Sequence, residues 1–471
     1  MKNSIIIFGA GYYGKSSYEL LKDKYNVICF LDNDNRLYGK EYDGKEILSP
    51  DKIDKKMMND IDIIICSSKY YEIASQITDR GILSYYVMIE GMLFHCDSKE
   101  MMIPVEISNG VYHKENRDEK NILFVQNAVC IRTLRIATIM KEAGYIVHLL
   151  YTVSPVSKSY LEYDVFDYKW NFTSLQGIVD FVNNSDFDLV HCSNEPDILA
   201  NLLCRSNKTV VADTHDMQSI RGNIGIDTLV LEYMANTKPD GNMYPSDRIA
   251  EIAQVKYKTN GRFIQSIDNL VMDEIDIYEP HKKISDLDGQ FHCVYEGGIV
   301  GLNKDNHRFF DEIWKKITDC GIHIHFYSQS DLKDCKRMET LSNLIHYEGN
   351  VGGEELIKSM TKYDCGLALF NSNGNNRLHL EAASINKVYE YLNSGLPIIS
   401  YGIDSLREFL RKNNVGDEID LNGNIREQVK YISNINIPKG FLKKNGYTVR
   451  SHSAELLQFY ERLISTKEET S

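Results

Sequence analysis

Short apolar runs, each closed by a turn and followed by a helical stretch, set the tightest limit on how this chain folds. Residues 4–8, 26–31, 61–66, 122–125, 145–151, 210–212, 291–295, 365–370 and 398–400 are such runs. They are too short for independent helices, and most do not alternate apolar with polar residues. A strand reads this way when helices cover both faces of a parallel sheet. Strand and helix alternating along the whole length predict an α/β chain. Its 471 residues leave room for roughly three domains.

The first unit carries a glycine-rich turn. Residues 4–8 lead into Gly9-Ala10-Gly11-Tyr12-Tyr13-Gly14, a helix is expected over about 15–21, and the strand 26–31 ends in Asp32-Asn33-Asp34. Asp32 lies 18 residues beyond Gly14. Strand, G-x-G-x-x-G, helix, strand and acid is the order of dinucleotide-binding units, so Gly9, Gly11, Gly14 and Asp32 are candidate nucleotide contacts. The run that follows, LDNDNRLYGKEYDGKEILSPDKI, resembles the N-terminal domain of bacterial sugar O- or N-acyltransferases of the bacillosamine acetyltransferase type. That domain binds a UDP-sugar, which implies a nucleotide or nucleotide-sugar ligand at residues 1–110. The hexapeptide β-helix of those enzymes is missing, so acyl transfer is not implied. NAD, and a module that only packs or docks, remain alternative readings. Residues 100–118 read as a linker, charged and without apolar periodicity.

Residues 384–400, SINKVYEYLNSGLPIIS, read as a short helix, a Gly-Leu-Pro turn and a buried strand. Val388, Tyr391 and Leu392 have the spacing of an apolar face, and Gly395 with Pro397 ends the helix. Lys387 and Glu390, three apart, share a second face. A helix opening with Asn386-Lys387 presents amides and an ammonium to phosphates, while the Glu390 carboxylate can accept both hydroxyls of a ribose. An amphipathic surface helix with an ion pair is the plainer reading.

The same stretch resembles the donor-site helix of GT-B glycosyltransferases, close to the retaining family 4. Earlier segments match that family in order: residues 121–125 with the helix 132–143 and the strand 145–151; FDLVHCSNEPD at 187–197; and VVADTHDM at 210–217. Glu296-Gly297-Gly298 follows the strand 291–295, and LIHYEGNVGGEELIKSMTKYDCGLALF is a further match. The resemblance implies an α/β chain of three Rossmann-like units. An N-terminal nucleotide-binding-like domain, 1–110, would precede a two-domain GT-B fold, with 119–284 on the acceptor side and 285–455 holding the donor in the cleft between them. Residues 456–471 would form a helix crossing back to the first of the two.

It also implies roles. Lys387 would meet the donor diphosphate with the amides of Gly297, Gly298 and the Asn386 helix end, and a basic residue such as Lys304 would assist. Glu390 would hold the ribose, and the backbone at Gly349, Asn350 and Val351 would touch the nucleobase. His215 and Asp216 would lie beside the donor sugar, although a helix cap with a structural histidine also fits. His191 reads as a packed residue. No metal and no cofactor would be needed beyond the nucleotide-sugar co-substrate, and the anomeric configuration would be retained. The family's E-x7-E pair is out of register: Ala382 stands eight before Glu390, and the nearest acid is Glu381. The asparagine-rich loop 371–376 could offer amides to sugar hydroxyls instead. Glu232-Tyr233-Met234 and residues 262–278 read as helical, and the polar segment 236–248 as a mobile acceptor loop.

A net charge of −14 argues against nucleic acid, whose phosphates call for a basic surface. Ten scattered cysteines without a CxxC pair read as reduced core residues, with no zinc site among them. The N-terminus enters a strand directly and no apolar run reaches transmembrane length, so the expected location is cytoplasmic, with room for peripheral contact at the inner face of the membrane. The expected function is sugar transfer from a nucleotide-diphosphate sugar to a glycan or lipid-linked acceptor in bacterial surface polysaccharide or glycoconjugate assembly. A non-catalytic nucleotide-sugar scaffold or sensor, and an NAD-dependent sugar-modifying enzyme acting through residues 1–110, are the rival readings.

Overall fold

The computed structural model describes residues 3–53, 60–89, 91–97, 100–104, 110–152, 163–172, 175–193, 197–222, 224–259, 263–277, 280–300, 303–304, 306–372 and 376–468. The chain forms two compact units. One comprises Met1–Asp213, Lys238–Gly241 and Tyr460–Ser471; the other comprises Thr214–Thr237 and Asn242–Phe459.

In the first unit, an eight-stranded sheet is built around Ser4–Phe8, which pairs in parallel with Asn26–Leu31 and Ile61–Ile65. Ile5 and Ile7 enter one apolar core, while Ile6 and Phe8 enter another on the opposite face. Burial on both faces is why these strands are apolar throughout. The sheet ends in antiparallel pairings of Ser84–Ile89 with Met92–Asp97 and of Met92–Asp97 with Glu100–Pro104. The expected linker is therefore corrected at both ends. Glu100–Pro104 is a strand, and Tyr112 is 6% exposed, with its ring stacked on Phe187 at 5.5 Å. Charge around Glu115 to Glu119 hid this apolar anchor.

The same unit holds five parallel strands in the order Tyr168–Asn171, Ile146–Tyr151, Asn121–Gln126, Leu189–Ser193 and Thr209–Asp213. His191 is packed, as its apolar run suggests: fully buried, it lies 2.8 Å from the Tyr460 hydroxyl through Nδ1.

In the second unit, residues 242–244 of the strand Gly241–Tyr244 neighbour Phe263–Ser266. Two expectations fail here. Residues 263–266 are a strand, and no helix follows them through 277. The segment 236–248 is no mobile loop, because Gly241–Tyr244 is a buried strand and the helix Asp247–Tyr257 starts at once, capped by Ser246 Oγ accepting from the Ile249 N–H at 3.1 Å. A serine cap followed by Ile249, Ala250, Ala253 and Tyr257 was a legible helix start.

A six-stranded parallel sheet forms the rest of the second unit. Its order is Ile345–Tyr347, Ile322–Tyr327, Phe291–Glu296, Cys365–Leu369, Ile398–Tyr401, Gly416–Glu418. The chain builds outward from Phe291–Glu296 in one direction and then, from Cys365–Leu369, in the other. No helix among the described residues is long and apolar enough to cross a membrane. None of the ten cysteines is in a disulfide, and seven are buried.

Candidate functional site

Where strand order reverses, the loops leaving adjacent strands part and open a crevice at the carboxyl ends. In the six-stranded sheet that point lies between Phe291–Glu296 and Cys365–Leu369. Gly297 and Gly298 leave the first strand, and Phe370 and Asn371 leave the second.

Lys387 reaches this point from the first turn of the helix Asn386–Asn393. Its ammonium sits 4.0 Å from the Tyr295 ring centroid and 5.6 Å from that of Phe370, a cation–π arrangement. Gly297 has φ +124°, and a Cβ there would lie 3.3 Å from Lys387 Nζ. Only glycine gives both that backbone and that approach. Burial pushes the Lys387 ammonium down to about 8; Glu296 and Glu390 oppose the shift, and Arg308 adds to it.

Burial also pushes the Glu296 carboxyl well above the usual carboxylate range, helped by the charge of Glu390, to which it is hydrogen-bonded. Tyr391 fixes this strand end. Its hydroxyl accepts from the Glu296 N–H at 3.0 Å and donates to the Leu367 carbonyl at 3.1 Å, spanning the two strands of the switch point. Its ring lies where a Cβ on Gly366 would be.

Arg308 also brings positive charge to the glycine turn. Its guanidinium packs onto Gly298 where a Cβ would sit, and its Nε lies 3.2 Å from His307 Nε2. Lys304 is exposed, and its carbonyl accepts from Asn371 Nδ2 at 2.7 Å. Burial, then the charges of Arg308, His379, Arg221 and Lys387, push His307 down to about 4.

Those neighbours tie Asp216 to the same region. Asp216 lies 3.0 Å from Arg221 Nη1 and 3.4 Å from Nε2 of the buried His379. His215 is half-buried beside it. Gly349, Asn350 and Val351 follow the strand Ile345–Tyr347, and the Gly349 carbonyl accepts from the Ser328 N–H at 3.0 Å. Asn386 is the first helical residue; the cap position is Ile385, which offers no side-chain hydrogen bond. Hence the first-turn amides have no side-chain cap, which suits an anion. Glu381 is engaged elsewhere: its oxygens accept from the Asp404 and Ser405 N–H groups at 3.0 and 2.8 Å. In the asparagine-rich loop, residues 373–375 lie outside the described residues.

In the first unit, Gly9 has φ +116°, and its missing Cβ makes room for the Cys66 carbonyl. Gly14 lets the helix approach the Gly9 carbonyl, whereas nothing crowds Gly11. Asp32 accepts from the Ala10 N–H at 2.7 Å and the Asp34 N–H at 2.8 Å, so one oxygen braces the glycine turn and the other its own loop.

Sucrose-phosphate synthase from Thermosynechococcus elongatus superposes on 74% of the chain and 100% of its own length, with TM-score 0.54 and 10% identity. A glycosyltransferase from Rickettsia africae ESF-5 covers 74% and 99%, with TM-score 0.53 and 13% identity. The fold is GT-B, with an added N-terminal α/β domain. Residues 1–88 match the family model described as C2185-like, N-terminal. No curated protein matches the chain. Within this GT-B chain, sequence reasoning had singled out Lys387, Glu390, Gly297 and Gly298. It missed Glu296, Arg308, His307 and His379. The glycine pair flags Glu296 next to it, but Arg308 lies 10 residues beyond Gly298, and only the folded loop brings it back.

Proposed function

We propose that this chain is a glycosyltransferase that moves a sugar from a nucleoside-diphosphate sugar to a hydroxyl of a glycan or lipid-linked acceptor. The observation that carries this reading is the Lys387 ammonium, held against the Gly297 turn at the switch point with Arg308 close by. Breaking the bond between the anomeric carbon and the diphosphate leaves negative charge on a phosphate oxygen. Lys387, Arg308, the Gly297 and Gly298 turn and the amides at Asn386 would stabilise it, in a partly buried place where such charge pairing is strong. Glu390 would take the ribose hydroxyls, exchanging its bond to Glu296 for bonds to the nucleotide. Asp216, His215, His307 and His379 would face the sugar. Retention would follow from a phosphate oxygen that accepts the proton of the incoming hydroxyl on the face from which it leaves. Surface polysaccharide assembly is the proposed setting, and a nucleotide-sugar the proposed ligand of the N-terminal domain.

The test is transfer or hydrolysis of UDP-, GDP-, CDP- and dTDP-sugars. Lys387→Ala should lower turnover at saturating donor by about 10²-fold or more; near-normal turnover would refute the assignment. Glu390→Ala should chiefly weaken nucleoside-diphosphate binding in calorimetry, and an unchanged affinity removes its ribose role. One observation favours a second reading, a nucleotide-sugar binder without turnover: Glu381, the acid nearest the missing E-x7-E position, is spent on capping the helix Asp404–Asn413. Tight binding of a donor with neither transfer nor hydrolysis would establish that reading.

A further inference from the structure

The six-stranded sheet carries four histidines on one face. His292, His323, His325 and His346 come from the neighbouring strands Phe291–Glu296, Ile322–Tyr327 and Ile345–Tyr347. His292 is in register with His323, and His325 with His346, so the two-residue period of a strand turns all four to the same side. The other side bears Cys293, Tyr295, Ile324, Phe326 and Ile345 of the apolar core. The rings stack, with centroids 4.4 Å apart for His292 and His323 and 4.6 Å for His325 and His346.

Counting hydrogens exposes a deficit. Asp288 Oδ2 lies 3.0 Å from His292 Nε2, His292 Nδ1 lies 2.9 Å from His325 Nε2, and His325 Nδ1 lies 2.6 Å from Glu348 Oε1. The carboxylates at the two ends only accept, so each neutral imidazole spends its single N–H outward. The two inner nitrogens then face each other at 2.9 Å with a lone pair apiece, on residues 3% and 7% exposed. Such a contact is relieved by positive charge between the rings, either a proton that makes one of them an imidazolium or a metal ion. Imidazoles that donate outward to carboxylates while aiming lone pairs inward are the arrangement by which proteins orient histidine ligands on a metal. A third imidazole is at hand. His323 Nδ1 lies 2.9 Å from His346 Nε2, which leaves His323 Nε2 for a ligand. One ligand nitrogen from each of His292, His323 and His325 lies within 4.8 Å of the others.

We propose that His292, His323 and His325 form a binding site for a divalent transition metal of the zinc class, with Asp288 and Glu348 as the carboxylates that orient it. Three imidazoles with a place left for water suit Zn2+ and its neighbours, not Mg2+ or Ca2+, which take oxygen ligands. Metal bonds of about 2.1 Å set tetrahedral nitrogens about 3.4 Å apart, so on binding the His292–His325 pair opens slightly and His323 turns toward it. His292 lies five residues before Gly297, roughly 16 Å along a strand, so this site is separate from the one at Lys387. Its role is to clamp the strands Phe291–Glu296 and Ile322–Tyr327 together, and it does not depend on sugar transfer.

The experiment uses the full chain stripped with a chelator and then equilibrated with zinc chloride. One zinc per chain is expected, together with a rise in the thermal midpoint that chelator reverses. Cobalt chloride should give the visible bands of a tetrahedral cobalt centre. His292→Gln and His325→Gln should abolish uptake, with folding checked by circular dichroism. Glu348→Gln, which keeps the shape of the partner, should weaken affinity about tenfold or more. Failure of the wild-type chain to take up metal overturns the proposal. So does uptake undiminished in the histidine variants, or, should those not fold, an affinity unchanged in Glu348→Gln.

Discussion

Lys387 is a cation in a place that works against its charge. Two aromatic faces and the Gly297 turn strip water from it, and its pKa falls to about 8. That cost is what the proposed diphosphate would recover. The sign follows from linkage. On the proposed reading a diphosphate binds the ammonium and its charge raises the pKa in the complex, so binding takes up a proton once pH exceeds the free value. Affinity for a nucleoside diphosphate should be nearly flat below pH 8 and fall by about tenfold per unit above it. Titration calorimetry from pH 6.5 to 9.5 reads this directly. Lys387→Arg should flatten the profile, since a guanidinium does not titrate there. A wild-type affinity independent of pH over that range would show that the ammonium does not meet the ligand. Lys387 itself was legible because it stands beside Asn386 at a helix start. Glu296, which shares its site, was hidden because a strand-end acid before a glycine turn is common and nothing local marks it as buried.

At the scale of elements, the helix Asn386–Asn393 matters through its seat. Val388, Tyr391 and Leu392 are 3%, 0% and 2% exposed, the apolar face that their spacing announced. Tyr391 then does what no periodicity can state: its ring fills the space left by Gly366, and its hydroxyl joins the Glu296 amide to the Leu367 carbonyl. Gly366→Ala drives a methyl into that ring, and neither a strand backbone nor a packed ring yields cheaply. The expected cost is about 1–3 kcal/mol, read from the urea midpoint, with a further loss of donor affinity as the helix moves. Unchanged stability would mean that Tyr391 has another rotamer to take. The misread elements fail for a related reason. Gly241–Tyr244 and Phe263–Ser266 are four-residue strands with few apolar residues to mark them, and their place beside each other is decided by packing that no local pattern shows.

At the scale of the molecule, buried charge reports what holds distant segments together. Arg132, from the helix Ile131–Glu142, meets Asp213 at the end of Thr209–Asp213 with nitrogens 2.9–3.1 Å from the carboxylate, both side chains within 7% exposure. His191 lies 3.5 Å from the same carboxylate and 2.8 Å from Tyr460. Replacing Arg132 by Leu strands an acid in the interior. The loss should be about 3–5 kcal/mol, measured by denaturant unfolding, and Arg132→Leu with Asp213→Asn should recover part of it. A loss below about 1 kcal/mol would mean that water reaches Asp213.

Sequence alone determined the class of fold, because apolar runs of strand length separated by helices have no other way to bury both faces. It also determined the candidates Lys387, Glu390, Gly297 and Gly298, because helix starts and glycine turns are local features. Only the tertiary structure decided that Arg308 packs onto the Gly298 turn, that Glu381 serves a helix cap, that Asp32 is bonded to its own turn, and that four histidines stand on one sheet face. Each of these depends on which strands become neighbours and in what register. That is settled by the packing of whole faces, across separations that no window of residues contains.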